Sequence, residues 1–264
     1  MGFMVDTTSY LNDIDWAAFY AWKPQYPGAA GRYFGGGYTW SGSEFTDARA
    51  STGGVLTRVA PIRACQPSRQ ETAGSTGYGY GQADAQDTMT RIGNAITAGQ
   101  LSVPSGGGAI VWLDVEANVG LTPAYWAGFA NELNLTFDYA AGIYTQFVNN
   151  GSGVYYPQAS VQAALNASYN DWSNADSLCA GLWTSEPEPC SGCAPDGAPE
   201  WSVLGTYTQP YQGSNYPITN YIFQYAEYGG CTTTCGVSNF AGGQNLDMDG
   251  TDSTGAEGRM LLIA

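Results

Sequence analysis

Short apolar runs alternate with helix-like stretches along the chain, and this alternation restricts the possible folds more than any other feature. The runs are FMVD at 3–6, RYFGG at 32–36, VLTRVAPI at 55–62, AIVWLDVE at 109–116, AAGIYT at 140–145, GLWTS at 181–185, YIFQYA at 221–226 and NLDMD at 245–249. Helix candidates lie at 15–22, 81–98, 123–133 and 158–165. The third has its own start signal, because Thr122 can cap it and Pro123 suits the first helical position. Strands that alternate with helices pair in parallel through crossovers. Eight of them in 264 residues predict a single-domain α/β fold, an irregular (β/α)8 TIM-like barrel. An open doubly wound sheet is the alternative. No G-x-G-x-x-G follows the first run, which argues against the dinucleotide-binding version of that sheet. The last two runs are joined by EYGGCTTTCGVSNFAGGQ, which has no helical pattern, so the barrel should lose regularity in its final third.

Residues 1–264 read as one domain, without an internal repeat or a charged linker. A Cys/Pro/Gly-rich stretch at 186–220 reads as a loop insertion. Six cysteines, Cys65, Cys179, Cys190, Cys193, Cys231 and Cys235, sit in or near turn-rich segments. An even count of this kind points to disulfides formed in an oxidising compartment, with the pairing open. A four-cysteine zinc knot from the two close pairs is the competing reading. The expected location is extracellular or at the cell surface. MGFMVDTTSY has no basic n-region and no long apolar h-region, so export would require a leader already removed or an unconventional route. No run approaches the roughly 20 apolar residues of a membrane span. A net charge of −15 without a basic stripe argues against nucleic acid as a partner. The oligomeric state is not legible.

The chain has no histidine. That excludes Ser-His-Asp triads, Cys-His pairs and His-ligated metals, and leaves carboxylates as the abundant groups for acid–base chemistry. In a strand, residues i and i+2 share a face. Trp112, Asp114 and Glu116 therefore point one way, and Val111, Leu113 and Val115 the other. In a barrel this sends both acids to the carboxyl end of the strand, where such folds keep their active sites. Asp6 ends the first run, and Asp247 and Asp249 alternate in the last. Carboxylates held together raise at least one pKa, and glycoside hydrolysis uses two carboxyl groups in that way. Tyr10, Tyr33, Trp40, Tyr144, Trp183 and Tyr225 fall at or just beyond run ends, where rings could stack on sugars. Structural alternatives exist for each acid. Asp114 and Glu116 could pair with Arg32 or Arg63, and Asp6 could cap the next helix. DMDGTD has part of a calcium-loop pattern but lacks its terminal glutamate. Asp6, Asp114, Glu116 and Asp247 could also serve as hard oxygen ligands in a metal-dependent hydrolase. The leading expectation is chemistry without a cofactor or metal.

VDTTSY, WLDVE, GIYT, IFQYAE and NLDMDG, in that order, resemble the lysozyme-like family 25 glycoside hydrolases and the related bacterial glycoside-hydrolase-like domains. GRYFGGG, VAPIR and GYGYGQADAQDTMTRI are more similar to the second group. The resemblance spans nearly the whole chain, in short motifs. It implies an irregular barrel in which Glu116 is the proton donor and Asp114 the partner that stabilises the transition state or orients the substrate. It also implies that Asp6 and Asp247 are supporting acids and that Tyr144 and Gln224 line the groove. Tyr33 and Trp183 join them as candidate substrate-binding residues from their place at run ends. The implied substrate is peptidoglycan, cut at β-1,4 bonds of N-acetylmuramic acid. Two departures stand out: GLWTSEPEP replaces the usual sixth strand, and the cysteine-bearing insertion is foreign to the pattern. The expected function is therefore a polysaccharide-cleaving glycosidase. The alternative is a non-catalytic carbohydrate-binding or extracellular structural protein on the same barrel, suited by the acidic surface, the cysteines and the tyrosine-rich loops.

Overall fold

A computed structural model describes residues 2–22, 28–105, 108–149, 154–172, 178–185, 207–211, 214–226, 247–251 and 257–264. Its strands are β1 (Gly2–Thr7), β2 (Ala29–Tyr33), β3 (Arg58–Arg63), β4 (Leu101–Ser102), β5 (Ile110–Val115), β6 (Ala140–Asn149) and β7 (Tyr155–Pro157). There follow β8 (Leu182–Ser185), β9 (Tyr207–Tyr211), β10 (Ser214–Ile218), β11 (Asn220–Ala226), β12 (Asp247–Thr251) and β13 (Leu261–Ile263). The helices are α1 (Trp16–Trp22), α2 (Glu44–Ser51), α3 (Pro67–Gln70), α4 (Gly74–Thr97), α5 (Pro123–Phe137) and α6 (Ala159–Trp172).

β1, β2, β3, β5, β6, β8 and β11 pair side by side in parallel. They curl into an irregular, TIM-like half-barrel within a single α/β domain. β12 breaks the pattern and pairs antiparallel with both β11 and β1. The sequence ahead of it carries no helical pattern of the kind a crossover to a parallel strand uses. Regular strand–helix alternation accordingly covers only the first part of the chain.

Alternation along the strands sorts the apolar residues into two clusters. Met4, Ala60, Ile62, Ile110, Trp112, Trp183 and Ile222 pack with one another inside the curl. Val5, Val59, Val111, Leu113, Val115 and Leu182 pack in the layer that includes Tyr125, Trp126 and Phe129 of α5. Two glycines make the inner cluster possible. A Cβ on Gly31 would lie 2.6 Å from Trp183, and one on Gly142 would lie 2.6 Å from Trp112.

The α5 start forms as its residues dictate, with Thr122 accepting a hydrogen bond from the Tyr125 N–H at 3.3 Å and Pro123 in the first turn. The second run is displaced. The strand is Ala29–Tyr33, not 32–36, because Gly35, Gly36 and Gly37 all have positive φ and form a turn. Helices α2 and α3 were not anticipated, nor were the short strands β4, β7 and β13 or the β9–β10 hairpin.

The disulfide expectation is corrected at two positions, since Cys65 and Cys179 are free thiols. Cys65 follows β3 and Cys179 precedes β8, so they lie at opposite ends of the parallel strands and are not partners of each other. Cys190, Cys193, Cys231 and Cys235 lie outside the described residues, as does the first part of the 186–220 insertion. Its remainder includes the β9–β10 hairpin. There the Tyr207 hydroxyl donates to the Gln162 carbonyl and the Gln209 amide to the Leu165 carbonyl, both on α6. Among the described residues no helix is long and apolar enough to cross a membrane.

Candidate active site

The chemistry-bearing groups gather at the carboxyl ends of the parallel strands. β5 delivers Asp114 from its inner face, and the chain turns out into solvent one residue after the strand. Asp114 is only 8% exposed, whereas Glu116 is exposed. Burial, first, and the charge of Glu116, second, push the Asp114 carboxyl up to about 7. Hydrogen bonds from the Cys65 backbone N–H, at 3.4 Å, and from the Tyr33 side chain oppose that rise. The arginines that might have neutralised the pair are committed elsewhere. Arg32 pairs with Glu44 at 2.7 Å, and Arg63 with Asp84 at 2.5 Å and Asp87 at 2.6 Å.

Two buried glutamines hold the backbone that carries the acids. The Gln70 amide donates to the Asp114 carbonyl at 2.8 Å, and its oxygen lies 3.2 Å from the Cys65 sulfur. From the other side, the Gln158 amide donates to the Val115 carbonyl at 3.2 Å, the Glu116 carbonyl at 3.0 Å and Thr145 Oγ1 at 3.0 Å. Three successive carbonyls are thereby satisfied where the strand pairing ends. Neither glutamine was singled out from sequence. A side chain that acts on a backbone more than forty positions away leaves no local pattern.

The other candidates fall around this pair. Asp6, at the end of β1, is buried, and strand register sets Asp247 of β12 directly opposite it. The side chain of Asp247 lies outside the described residues. Asp249 is fully buried and accepts from the Trp183 indole N–H at 2.9 Å. Tyr144 of β6 stacks on Trp183 with ring centroids 4.6 Å apart, and its hydroxyl donates to Gln224 at 2.8 Å. Trp183, also fully buried, lies beneath Tyr144 and meets Trp112 edge-on at 5.8 Å. Tyr33 is half-buried beside Asp114. The structure thus brings Asp114, Glu116 and Tyr33 together, and joins Tyr144, Gln224, Trp183 and Asp249 into a second connected group. The Cys65 thiol is pushed up to about 12, chiefly by burial, so it stays protonated and contributes no nucleophile. Among the described residues no three Asp, Glu or Cys side chains are grouped to hold a metal ion.

No protein-family model matches the chain, and no curated protein sequence matches it. Among solved structures, the fold is similar to the 1.07 Å crystal structure of an uncharacterized B. stearothermophilus protein. That match has a TM-score of 0.60 and 16% identity, and covers 98% of this chain and 100% of the other. A weaker likeness joins it to the modular autolysin LytC from Streptococcus pneumoniae, solved in complex with a synthetic peptidoglycan ligand. Its TM-score is 0.40 with 12% identity, over 94% of this chain and 46% of that one. The first of these likenesses establishes a shared α/β fold across the full length of the chain.

Proposed function

We propose that the chain is a glycoside hydrolase that cuts a polysaccharide by carboxylate chemistry, with Glu116 as the general acid and Asp114 as its partner. In this reading the barrel is of the irregular (β/α)8 kind. One observation carries the proposal: a buried carboxyl whose proton affinity is raised into the neutral range stands next to an exposed one at the carboxyl ends of the strands. The exposed side of Glu116 is where a glycosidic oxygen can arrive to take a proton. Burial makes the Asp114 anion costly in the free protein. A sugar that becomes cationic as the bond breaks supplies the missing counter-charge, so Asp114 interacts more strongly with the transition state than with the substrate. Asp6 and Asp247 reinforce the negative field, and Tyr144, Gln224, Tyr33 and Trp183 shape the sugar site. On the resemblance of WLDVE and NLDMDG, peptidoglycan is the first glycan to test, and such a substrate places the protein outside the cell or at its surface.

The test is product analysis by mass spectrometry with peptidoglycan and other polysaccharides, from about pH 4 to about pH 8. Native protein should release saccharides, with activity rising as pH climbs toward about 7, the value to which Asp114 is raised, because its ionised form is the one that stabilises the sugar cation. Glu116→Gln should lower kcat at least about 100-fold with an unchanged melting temperature. No cleavage of any glycan by the native protein would sink the hydrolase reading.

A second reading, a non-catalytic carbohydrate-binding protein, draws on the closure of the inner group. Asp6, Trp183, Gln224 and Asp249 are all buried, and among the described site residues it is Glu116, with Tyr33 in part, that meets solvent. That reading expects native protein and Glu116→Gln to bind glycan equally and neither to cut it.

A further inference from the structure

Beside the two carboxylates, on the same end of the barrel, lies a cavity of about 250 Å³ lined by Thr8, Ser9, Tyr10, Asp13, Arg32, Gly37, Tyr38 and Thr39. We infer that this cavity is a binding subsite for one uncharged, hydroxyl-rich sugar ring of the polysaccharide that Asp114 and Glu116 act on. The inference deepens the hydrolase reading and rests on it for the role of the neighbouring acids.

The cavity is built on a buried ion pair. Arg32 and Glu44 are 1% and 0% exposed and meet at 2.7 Å. Glu44 also accepts the N–H of Leu11 at 2.9 Å and of Ser41 at 3.2 Å. Arg32 donates to the carbonyls of Tyr33 at 3.0 Å and Thr39 at 2.9 Å. One pair therefore ties down both walls, the turn after β1 and the loop after β2. A site held open in this way loses little freedom when a ligand enters. The second wall depends on the glycine turn: Gly35, Gly36 and Gly37 have φ of 81°, 64° and 106° and send the chain back so that Gly35 bridges to Tyr38.

The lining selects the ligand class. It holds hydroxyls from Thr8, Ser9, Tyr10, Tyr38 and Thr39, one carboxyl from Asp13, and no aliphatic side chain. An apolar ligand would leave the hydroxyls and the Asp13 carboxyl without partners. An anion finds a cation already neutralised by Glu44, an acid in the wall and a chain of net charge −15. A neutral ring with hydroxyls around its edge matches the hydroxyls and the Asp13 carboxyl, and the faces of Tyr10 and Tyr38 offer stacking surfaces. Position makes the same case. The Tyr38 ring lies 5.4 Å from the Tyr33 ring, and the Tyr33 side chain hydrogen-bonds Asp114. A single tyrosine pair separates the cavity from the acids, so a ring seated here belongs to a glycan whose next units run toward Asp114 and Glu116.

Binding can be measured without cleavage. Full-length Glu116→Gln protein would be titrated by calorimetry with soluble β-1,4-linked oligosaccharides of N-acetylglucosamine, of glucose and of xylose. At least one series should bind, with an affinity insensitive to added salt, as an uncharged ligand requires. Adding Thr8→Trp, which places a bulky ring at the cavity mouth, should weaken that binding at least tenfold without lowering the melting temperature. Tyr38→Ala should weaken it similarly, and Tyr38→Phe should restore the stacking part. Affinity within twofold in both the Thr8→Trp and Tyr38→Ala variants overturns the subsite, as does absence of binding by all three series. Cleavage by the native protein is scored separately. If cavity-dependent binding is found without cleavage, the hydrolase reading falls and the sugar site stands. If there is cleavage with cavity-independent binding, the reverse holds.

Discussion

Asp114 keeps its proton at a pH where a solvated aspartate has lost it, and the consequence for stability can be worked out. Its carboxyl has the ordinary value of 3.8 when unfolded and is pushed up to about 7 when folded, chiefly because burial penalises the anion. Between those values the folded state binds the extra proton, so stability falls as pH rises through the window and the loss stops above about 7. Compared with Asp114→Asn, the native protein should lose about 1.4 kcal/mol of unfolding free energy per pH unit across that window. Urea denaturation of both proteins at a series of pH values reads this directly, and a flat difference would mean that Asp114 is solvated. Much of the site at this scale could be read from the chain. Period-two alternation placed Trp112 and Asp114 inward, and the absence of histidine directed attention to carboxylates. What tunes Asp114 could not be read. The Cys65 N–H that lowers its pKa comes from 49 positions away, and the Gln70 and Gln158 amides that hold the backbone at the strand end come from 44 and 43 positions. Only the parallel stacking of β3, β5 and β6 brings them together.

At the scale of elements, α4 and α5 pack with their backbones in contact, and glycines are the reason. A Cβ on Gly81 would lie 2.1 Å from the Tyr125 carbonyl oxygen, and one on Gly128 would lie 2.1 Å from that of Tyr78. Gly79, in the same helix, has nothing within 4 Å of its would-be Cβ. The two kinds of glycine should therefore respond oppositely to alanine. Gly79→Ala should stabilise by roughly 0.5–1 kcal/mol through helix propensity. Gly81→Ala should instead destabilise by about 1–3 kcal/mol, because the helices must move apart. Thermal denaturation of the two variants settles it, and equal signs would exclude close packing as the cause. The glycine-rich stretch GYGYGQADAQDTMTRI was visible in the sequence, but its period does not say which glycine faces a partner. The eight apolar runs overlap β1, β2, β3, β5, β6, β8, β11 and β12, the second displaced from its strand, and a strand buried on both faces, as β5 is, leaves nearly continuous apolar text. Helix α2 escaped because Glu44–Ser51 has no apolar stripe: Glu44 is one of its buried residues, and burial there serves the ion pair with Arg32.

For the whole molecule, the two ends of the half-barrel interior differ in chemistry. The carboxyl end carries Asp6, Asp114 and Gln224, all buried, with Asp249 one layer deeper, level with Met4. The opposite end is apolar. Met260 enters the inner cluster with Met4, Ala29 and Ile110, and the adjoining β13 pairs with the start of β3 and with β4. Sequence alternation could assign polar groups to one end but could not show what closes the other, since Leu261–Ile263 is too short to announce itself as a strand. If the proposed barrel reading holds, changes at the closed end act on stability and changes at the strand carboxyl ends act on chemistry. Met260→Ala should therefore cost about 2–5 kcal/mol through the cavity it leaves. It should leave the oligosaccharide affinity and the rise of activity toward pH 7 in place. Glu116→Gln should do the reverse, abolishing cleavage while the unfolding midpoint stays put. The pair is measured by denaturant unfolding, calorimetric binding and product release on the same two proteins. If Met260→Ala moved the affinity or the pH dependence while remaining folded, the inner column of Met260, Trp112, Trp183 and Tyr144 would transmit strain to the site, and the separation of the two ends would be wrong.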